Sequence, residues 1–299
     1  MSQGGGNRQD EARVVSLRHE GEDAAASLPS LLAEADRIAA TVAQGVHGRR
    51  RSGIGETFWQ YRHHRPEDGR QAIDWRQSAR SDQLFVRQNE WEAANTIWLW
   101  RDGSASMRYT SSRNHGAKID RAAVCQIAVA ALLTQGGERV SVLGESAIAR
   151  TGALGLERAS RRLALGPGDA ASVEAPNISR FGRVVLASDF LDPIETWTAR
   201  LSRFAAMEAQ GVMLRVIDPA EEDFPYAGRT RFEHPGGGDS LLFGRAEEAR
   251  SAYRQRWAEH GARLGDLARQ YGWTLVTHRT DRPATSAVLA LYRALAREV

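Results

Sequence analysis

The chain has 299 residues, which is enough for one large or two small domains, and 42% of them are hydrophobic, which is enough for a packed core. Its 40 basic and 37 acidic residues leave a net charge of only +3, and the densest basic runs lie at 49–51 and 161–162. Because a nucleic-acid binder concentrates positive charge on one face, this balance argues against a nucleic-acid partner, and binding through Arg49 to Arg51 stays a weaker alternative.

Cysteine usage and apolar runs indicate the compartment. The polar N-terminal segment has no apolar signal-peptide core, and no stretch approaches the roughly eighteen apolar residues of a membrane-spanning helix. The single cysteine, Cys125, excludes a disulfide within the chain and fits a reducing compartment. It lies in the apolar run 122–130, so we predict a buried core residue rather than a nucleophile. We therefore expect a cytoplasmic protein that is not embedded in a membrane.

The first third of the chain is predicted to hold a disordered segment and a small domain. Residues 1–26 are polar, charged and Gly-rich, which predicts a disordered N-terminus. Apolar residues recur at helical spacing over 27–44, which predicts an amphipathic helix. Residues 53–91 show little helical periodicity but carry aromatic residues and an extended run, which predicts a β-rich subdomain. Together the helix and this subdomain form a predicted domain over 27–93.

From residue 94 to residue 299, apolar strand candidates alternate with helical segments. Such alternation predicts an α/β domain with a mostly parallel sheet that is flanked by helices. The one long connection, 219–245, is rich in Pro and Gly, and we predict a flexible tip at 235–239. The predicted strands are 96–101, 139–143, 147–150, 183–188, 212–217 and 273–279, and the predicted helices are 117–135, 154–164, 194–210, 246–270 and 283–297.

Oxygen-bearing side chains follow two of these strands at the point where each strand ends. Asp102, Ser104 and Ser106 come directly after the strand 96–101, and Asp189 follows the strand 183–188. Open α/β sheets bind ligands at the carboxyl ends of their strands, and Mg²⁺ prefers oxygen ligands while it keeps several waters. The pattern therefore predicts a site for Mg²⁺ or Mn²⁺. The alternative is a polar turn whose aspartate and serines cap the following helix.

A second cluster of charged residues lies upstream, within 62–80. An enzyme would use Asp68 and Asp74 as a general acid/base pair, but the neighbouring arginines would hold both carboxylates ionised and paired. We therefore favour a structural network of ion pairs with Trp75 as its apolar anchor. A partner-docking surface stays open as an alternative, because Trp and Arg are preferred interface anchors. The residues of this cluster are Arg62, Asp68, Arg70, Asp74, Trp75 and Arg80.

This cluster is part of a longer set of sequence blocks that resembles a known family. Its sequence blocks are similar to the signature of domain-of-unknown-function family 58, a bacterial family usually associated with MoxR-type AAA+ ATPases. The strand, the Asp-x-Ser-x-Ser loop and the later strand that ends in Ser-Asp resemble the von Willebrand factor type A fold. The blocks that carry the family resemblance are Gly53–Phe58, Tyr61–Arg62, Asp68–Trp75, Ser78–Arg80, Leu84–Arg87, Glu90, Asp218–Glu221, Tyr253 and Thr280–Pro283.

The resemblance implies a von Willebrand factor A-like domain with a metal-dependent adhesion site. In such a site Asp102, Ser104, Ser106 and Asp189 would surround the ion, with a threonine for which Thr151 is the candidate. A carboxylate of the partner would complete the metal shell. The resemblance also implies a non-enzymatic, chaperone-like adaptor that binds a MoxR-type AAA+ ATPase and a client protein while another complex is assembled.

An enzymatic alternative uses the same residues. An aspartate at a strand end beside Mg²⁺ is also a phosphotransferase arrangement, so Asp102 could serve a metal-dependent phosphoester hydrolase as nucleophile or ligand. Against this alternative, no lysine is evident near Asp189 or Ser104 to neutralise a transferring phosphoryl group. The chain also lacks a Walker A loop, a Gly-x-Ser-x-Gly turn and a His-Glu-x-x-His helix.

Overall fold

The computed structural model describes residues 4–26, 52–53, 57–63, 73–79, 83–90, 96–144, 149–166, 178 and 182–296. The chain divides into two compact units. The smaller one spans Gln44–Ala94, and the larger one combines Met1–Ala43 with Asn95–Val299. The helix predicted over 27–44 lies outside the described residues.

Residues Gly4–Ala26 form a helix, α1, so the predicted disorder of residues 1–26 is wrong for the described part of that segment. Leu17, Ala24 and Ala25 of α1 are buried in the main core of the larger unit. Gly21 also faces that core, where a β carbon would lie 2.8 Å from Cγ2 of Ile127. Because Leu17 is the one large apolar side chain that is buried in the described part of α1, and the other buried positions are glycine and alanine, its buried face is only weakly apolar, and composition alone indicates disorder.

The smaller unit contains an antiparallel sheet of three strands, β1 (Ser52–Gly53), β2 (Thr57–His63) and β3 (Phe85–Glu90), in the order β1-β3-β2. A short helix, α2 (Trp75–Ser78), lies between β2 and β3 in the chain. Just before α2, Ile73 forms an isolated antiparallel bridge with Val86 of β3. Both of these residues are buried.

The larger unit is built on five parallel strands, in the order β5-β4-β6-β7-β10. Residues of the central strands, including Leu99, Val184 and Val185, are completely buried. Strands that are covered on both faces read as continuous apolar runs, which is why their positions could be predicted. The strands of this unit are β4 (Thr96–Arg101), β5 (Arg139–Val142), β6 (Arg183–Ser188), β7 (Gln210–Ile217), β8 (Thr230–Glu233), β9 (Ser240–Phe243) and β10 (Thr274–Arg279).

Helices cover both faces of this sheet, which confirms the predicted α/β class. One face packs against α1, α3, α4 and α8, and the other packs against α5 and α7. Alternate residues of β6 serve the two faces, with Val185 in the first core and Leu186 in the second. The helices are α3 (Lys118–Gln135), α4 (Gly152–Leu165), α5 (Ile194–Ala206), α6 (Pro219–Asp223), α7 (Arg250–Gln270) and α8 (Ala284–Ala296). None of the helices in the described ranges is long and apolar enough to cross a membrane.

The connection 219–245 is more ordered than its Pro and Gly content predicts. It begins with α6 and continues as the hairpin β8–β9, whose strands pair from Thr230–Phe243 to Glu233–Ser240. The predicted flexible tip is the turn of this hairpin, where the backbone N–H of His234 donates to the carbonyl of Asp239 at 2.9 Å. Of the predicted strand 147–150, only Arg150 forms a described bridge, antiparallel to Val140.

The strand order creates one position that is suited to ligand binding. Strand β4 lies between β5 and β6. The chain therefore adds β5 on one side of β4 and then crosses to the other side to form β6. In open α/β sheets, ligands bind at such a topological switch point, outside the carboxyl ends of the strands. Here the switch point lies between the ends of β4 and β6, at Asp102 and Asp189.

Candidate functional site at the switch point

Asp102 lies at the carboxyl end of β4 and is only 2% exposed. Its backbone N–H donates to the carbonyl of Ala187 at 2.8 Å and so extends the pairing between β4 and β6. Its Oδ1 accepts the backbone N–H of Ser104 at 2.8 Å, and its Oδ2 accepts the hydroxyl of Ser188 at 2.6 Å. The carboxylate is therefore fixed between the two strands.

The two serines of the motif face each other beside Asp102. The hydroxyl oxygens of Ser104 and Ser106 lie 3.0 Å apart, and both residues are half-buried. Ser106 opens a short 3-10 turn that ends at Arg108, and Met107 in this turn is fully buried. The buried methionine anchors the turn and leaves the pair of hydroxyls at its outer side.

Asp189 enters the site from the end of β6, in a tightly constrained loop, and is 2% exposed. Its Oδ1 accepts the backbone N–H of Leu191 at 3.2 Å. The next residue, Phe190, has a φ of 54°, which is strained for a bulky side chain. Its ring is fully buried against Trp197, and its carbonyl hydrogen-bonds to Nε2 of His260 at 2.7 Å. Packing of Phe190 therefore sets the direction of the Asp189 side chain.

Lys118 brings a buried positive charge to the same place. It is the first residue of α3 and is completely buried. Its ammonium donates to Oδ2 of Asp189 at 2.9 Å and to Oε1 of Glu221. The expectation that no lysine lies near Asp189 is therefore wrong. One signal was available, since a lysine in the first turn of a helix opposes the helix dipole and so needs a local anionic partner.

Glu221 and Asp218 connect this ion pair to the end of β7. Asp218 caps α6 by accepting the N–H of Ala220 at 2.8 Å, and Oε2 of Glu221 accepts the N–H of Asp218 at 2.8 Å. The second oxygen of Asp218 accepts the N–H of Ser111 at 2.8 Å. The loop that follows the 3-10 turn is thus fastened to α6, next to Lys118.

Burial dominates the electrostatics of the site. It raises the pKa of Asp102 above its usual range, although hydrogen bonds from Ser188 and Ser104 act in the opposite direction. Burial likewise raises the pKa of Glu221, against the stabilising charge of Lys118. With Asp102, Asp189, Glu221 and Lys118 all ionised, three carboxylates and one ammonium leave two negative charges.

Arg215 of β7 is a second buried cation, which sequence reasoning missed. It is 5% exposed, and its guanidinium lies 4.4 Å from the centre of the Trp257 ring. Its Nε and Nη2 atoms have no hydrogen-bond partner in the part of the chain that the structure describes. Burial lowers the pKa of Arg215, and the charges of Glu221 and Asp189 oppose that shift. The carboxylates of Asp189 and Glu221 are thus flanked by positive charge from α3 and from β7. We call these carboxylates, together with that of Asp102, the acidic edge.

The oxygen groups at the switch point are of the kind that Mg²⁺ accepts. Within the described ranges, no three His, Cys, Asp or Glu side chains converge as metal ligands. The donors available are two hydroxyls and two carboxylates, from Ser104, Ser106, Asp102 and Asp189. Mg²⁺ accepts such oxygen ligands, and it commonly takes only one or two carboxylates and keeps several waters. One oxygen of Asp189, however, already accepts a hydrogen bond from Lys118.

Thr151, the candidate for the threonine ligand, does not join this set. Arg150 pairs antiparallel with Val140, whose strand neighbour is Ile97 near the start of β4. Thr151 follows Arg150 toward the amino end of the sheet and is exposed. It therefore lies at the edge of the sheet opposite Asp102, because the short return strand runs antiparallel to β5.

The upstream cluster is only partly described. Trp75 is 62% exposed, and its role as an apolar anchor stays a prediction. The backbone N–H of Asp74 donates to the carbonyl of Phe85 at 2.9 Å, which ties the start of α2 to β3. Arg62 lies in β2 opposite Val86. The remaining predicted members, Asp68, Arg70 and Arg80, lie outside the described residues.

Known proteins are similar to this chain in sequence. A protein-family model described as "Protein of unknown function DUF58" matches residues 60–263. Uncharacterized protein Mb1516 of Mycobacterium bovis and Uncharacterized protein Rv1480 of Mycobacterium tuberculosis are each 28% identical to it over 247 residues, which is 77% of this chain and 76% of each relative.

Two solved structures are similar at low sequence identity. An aerotolerance-related membrane protein from Bacteroides fragilis matches with a TM-score of 0.42 and 16% identity, over 67% of this chain and 98% of that one. The conserved hypothetical protein BatB from Bacteroides thetaiotaomicron matches with a TM-score of 0.38 and 14% identity, over 68% of this chain and 100% of that one.

The family match covers most of the chain and confirms the resemblance found in its sequence blocks. The chain belongs to the DUF58 family of proteins of unknown function.

Proposed function

We propose that this protein is a non-enzymatic adaptor that binds a partner through a divalent cation at the switch point. The observation that carries the proposal is the meeting of Asp102, Ser104, Ser106 and Asp189 at one edge of the sheet. The two hydroxyls of this set are half-buried and 3.0 Å apart, so they are the groups most accessible to an ion. A carboxylate on the partner is the natural fifth contributor, since Mg²⁺ usually leaves coordination positions for groups outside the protein.

In this proposal Asp102 and Ser188 position the two serines of the site. Asp102 holds the N–H of Ser104 and thereby fixes the turn that carries Ser104 and Ser106. Ser188 fixes the other oxygen of Asp102, which locks the turn to β6. A bound Mg²⁺ would supply the positive charge that joins these oxygens to an anionic group of the partner. The site then works by holding two proteins together, and no bond is broken.

We further propose that the partner is a MoxR-type AAA+ ATPase, which acts together with this protein on a client in the cytoplasm. The support for this identity is the resemblance of the sequence blocks to DUF58, which implies a MoxR-type ATPase as the partner. Exposed Trp75 is a candidate for a second contact with the partner, because exposed tryptophan is a preferred interface anchor.

The test is the affinity of the purified protein for a purified MoxR-type ATPase from the same organism, measured in Mg²⁺. We expect Asp102→Ala and the double variant Ser104→Ala/Ser106→Ala each to weaken binding by about tenfold or more. Asp192→Ala is the matched control, because Asp192 pairs with Arg200 just beyond the site and is not one of its donors. Unchanged affinity of the Asp102→Ala variant would contradict the proposal.

Lys118 favours a second candidate function, a metal-dependent phosphoester hydrolase that uses Asp102. Its ammonium lies beside Asp189, where the sequence had indicated no lysine to neutralise a phosphoryl group. Its ammonium is fully buried, however, and Asp102 is 2% exposed with both oxygens hydrogen-bonded, which does not favour attack on a phosphate. Turnover of p-nitrophenyl phosphate in Mg²⁺ that is abolished by Asp102→Asn would establish this function instead of the adaptor.

A further inference from the structure

Lys118 is a permanent part of the site. Its side chain is completely buried, and its ammonium donates to the carboxylates of both Asp189 and Glu221. A buried ammonium without access to water must keep such partners, because an unpaired buried charge is strongly unfavourable. The ammonium therefore holds the acidic edge when no other cation is present.

The same contacts reduce what the site offers to a divalent ion. Asp189 accepts Lys118 at Oδ2 and the N–H of Leu191 at Oδ1. Asp102 also accepts a hydrogen bond at each of its oxygens. An ion that coordinates Asp189 would lie within a few ångströms of the ammonium, where like charges in a buried setting repel strongly. The protein alone is thus a poor ligand for Mg²⁺.

A carboxylate from the partner would remove this deficit. It would add one negative charge and one or two oxygen ligands to the half-buried side of Ser104 and Ser106. Binding of the ion would then strengthen binding of the partner, and by linkage the partner would strengthen binding of the ion by the same factor.

We infer that Lys118 is a tethered cation that keeps the switch-point site at low metal affinity, so that a divalent ion binds only together with a carboxylate of the partner. The inference rests on the proposed function and adds to it a residue that makes metal binding and partner binding interdependent. Lys118 acts here as a positioning and specificity residue for Asp189, and it does not contact the partner.

The experiment measures Mn²⁺ binding to the full chain without any partner, by electron paramagnetic resonance and by calorimetry. Methionine replaces Lys118 with a side chain of similar length and no charge. We expect Lys118→Met to bind Mn²⁺ about tenfold or more tightly than the wild type. Adding Asp102→Ala to Lys118→Met should remove the gain, which would place the ion at the switch point. Equal Mn²⁺ affinity of the wild type and Lys118→Met would overturn the inference.

A second variant protects the test against a folding defect. Lys118→Met leaves Asp189 and Glu221 buried without a hydrogen-bonded ammonium, whereas Lys118→Met/Glu221→Gln restores the net charge of the cluster. We expect this double variant also to bind Mn²⁺ more tightly than the wild type, and Mn²⁺ to raise its melting temperature. If the folded double variant binds no better than the wild type, Lys118 is only structural and the inference fails.

The outcomes also separate this inference from the proposed function. Tight Mn²⁺ binding by the wild type alone would refute the role of Lys118, yet it would leave a metal-dependent adaptor intact. Conversely, partner affinity that does not respond to Asp102→Ala would refute the adaptor, whatever Mn²⁺ does in the Lys118 variants.

Discussion

The ammonium of Lys118 lies 2.9 Å from Oδ2 of Asp189, although the two residues are 71 positions apart in the chain. Lys118 begins α3, which returns from the loop after β4, and Asp189 directly follows β6 on the other side of the switch point. The pair therefore joins the two halves of the candidate site. It also makes the site partly self-neutralised, which distinguishes it from a plain cluster of acidic residues.

Removal of one partner from the ion pair between Lys118 and Glu221 should lower stability strongly, because the buried ammonium then loses one of its two carboxylates. Glu221→Ala removes one partner of a buried ammonium together with the acceptor for the N–H of Asp218, and we expect a loss of about 3–5 kcal/mol in the free energy of unfolding. Glu222→Ala is the matched control, because Glu222 pairs with Arg279 at a more exposed position and should cost about 1 kcal/mol or less. Urea denaturation measures both, and equal losses would contradict the assignment.

His278 should make the protein sensitive to mild acid. It is 3% exposed in β10, and burial lowers its pKa from 6.5 to about 4. The unfolded state therefore binds the proton more readily, so stability is complete above about pH 6.5 and falls by up to about 3 kcal/mol as the pH drops to about 4.

Replacing His278 with leucine should flatten this part of the stability curve. His234→Leu is the control, because His234 is exposed at the hairpin turn and should leave the curve unchanged. Unfolding free energies from pH 4 to pH 7 provide the comparison. If the wild type and His278→Leu show the same slope, His278 is not buried in its neutral form.

The single cysteine should be unreactive in the native protein. Cys125 is fully buried in α3, and burial raises the pKa of its thiol to about 12, which confirms its prediction as a core residue. The thiolate is the reactive form, so we expect no labelling by Ellman's reagent in buffer and one equivalent in guanidinium chloride. Stoichiometric labelling of the native protein within minutes would show that α3 is not buried in this way.

The packing of α1 should reverse the usual effect of a glycine-to-alanine substitution in a helix. Such a change normally stabilises a helix by up to about 1 kcal/mol. At Gly21 the added β carbon would lie 2.8 Å from Cγ2 of Ile127 and 3.3 Å from the backbone nitrogen of Ala128, so we expect Gly21→Ala to cost about 1–3 kcal/mol.

Ser16→Ala is the control for Gly21→Ala, because Ser16 is exposed on the same helix and its replacement should be neutral or slightly stabilising. Urea denaturation measures both variants. A stabilising Gly21→Ala would mean that α1 does not pack closely on α3 at this position, whereas no effect of either variant would fit the predicted disorder of the N-terminal segment.

The parts of the fold that could be predicted share one physical property. Strands β4 and β6 are buried on both faces, so each is a continuous apolar run, and their limits coincide with the predicted 96–101 and 183–188. Asp102 and Asp189 could be placed at one edge for the same reason, because parallel strands deliver their carboxyl ends together. The motif of Asp102, Ser104 and Ser106 after β4 was thus sufficient to predict where the candidate site lies.

The elements that were missed depend on packing or on distant contacts. Helix α1 is buried through Leu17 together with glycine and alanine, which leave only a weak apolar signal in the sequence. The hairpin β8–β9 lies in a segment whose Pro and Gly content indicates loop. The role of Lys118 depends on its contacts with Asp189 and Glu221, which are 71 and 103 residues away in the chain. The position of Lys118 in the first turn of a helix indicates that it needs an anionic partner, but no local pattern identifies which residues supply it.

The central claim is that a cation at Asp102 joins this protein to its partner. The measurement that tests it most directly is the change in affinity for the MoxR-type ATPase between Mg²⁺ and EDTA, compared for the wild type and Asp102→Ala. Magnesium bound to the ATPase itself contributes equally to both proteins, so the difference isolates the switch-point site. We predict that Mg²⁺ strengthens wild-type binding about tenfold or more beyond its effect on Asp102→Ala. An identical response to Mg²⁺ in the two proteins would contradict the claim.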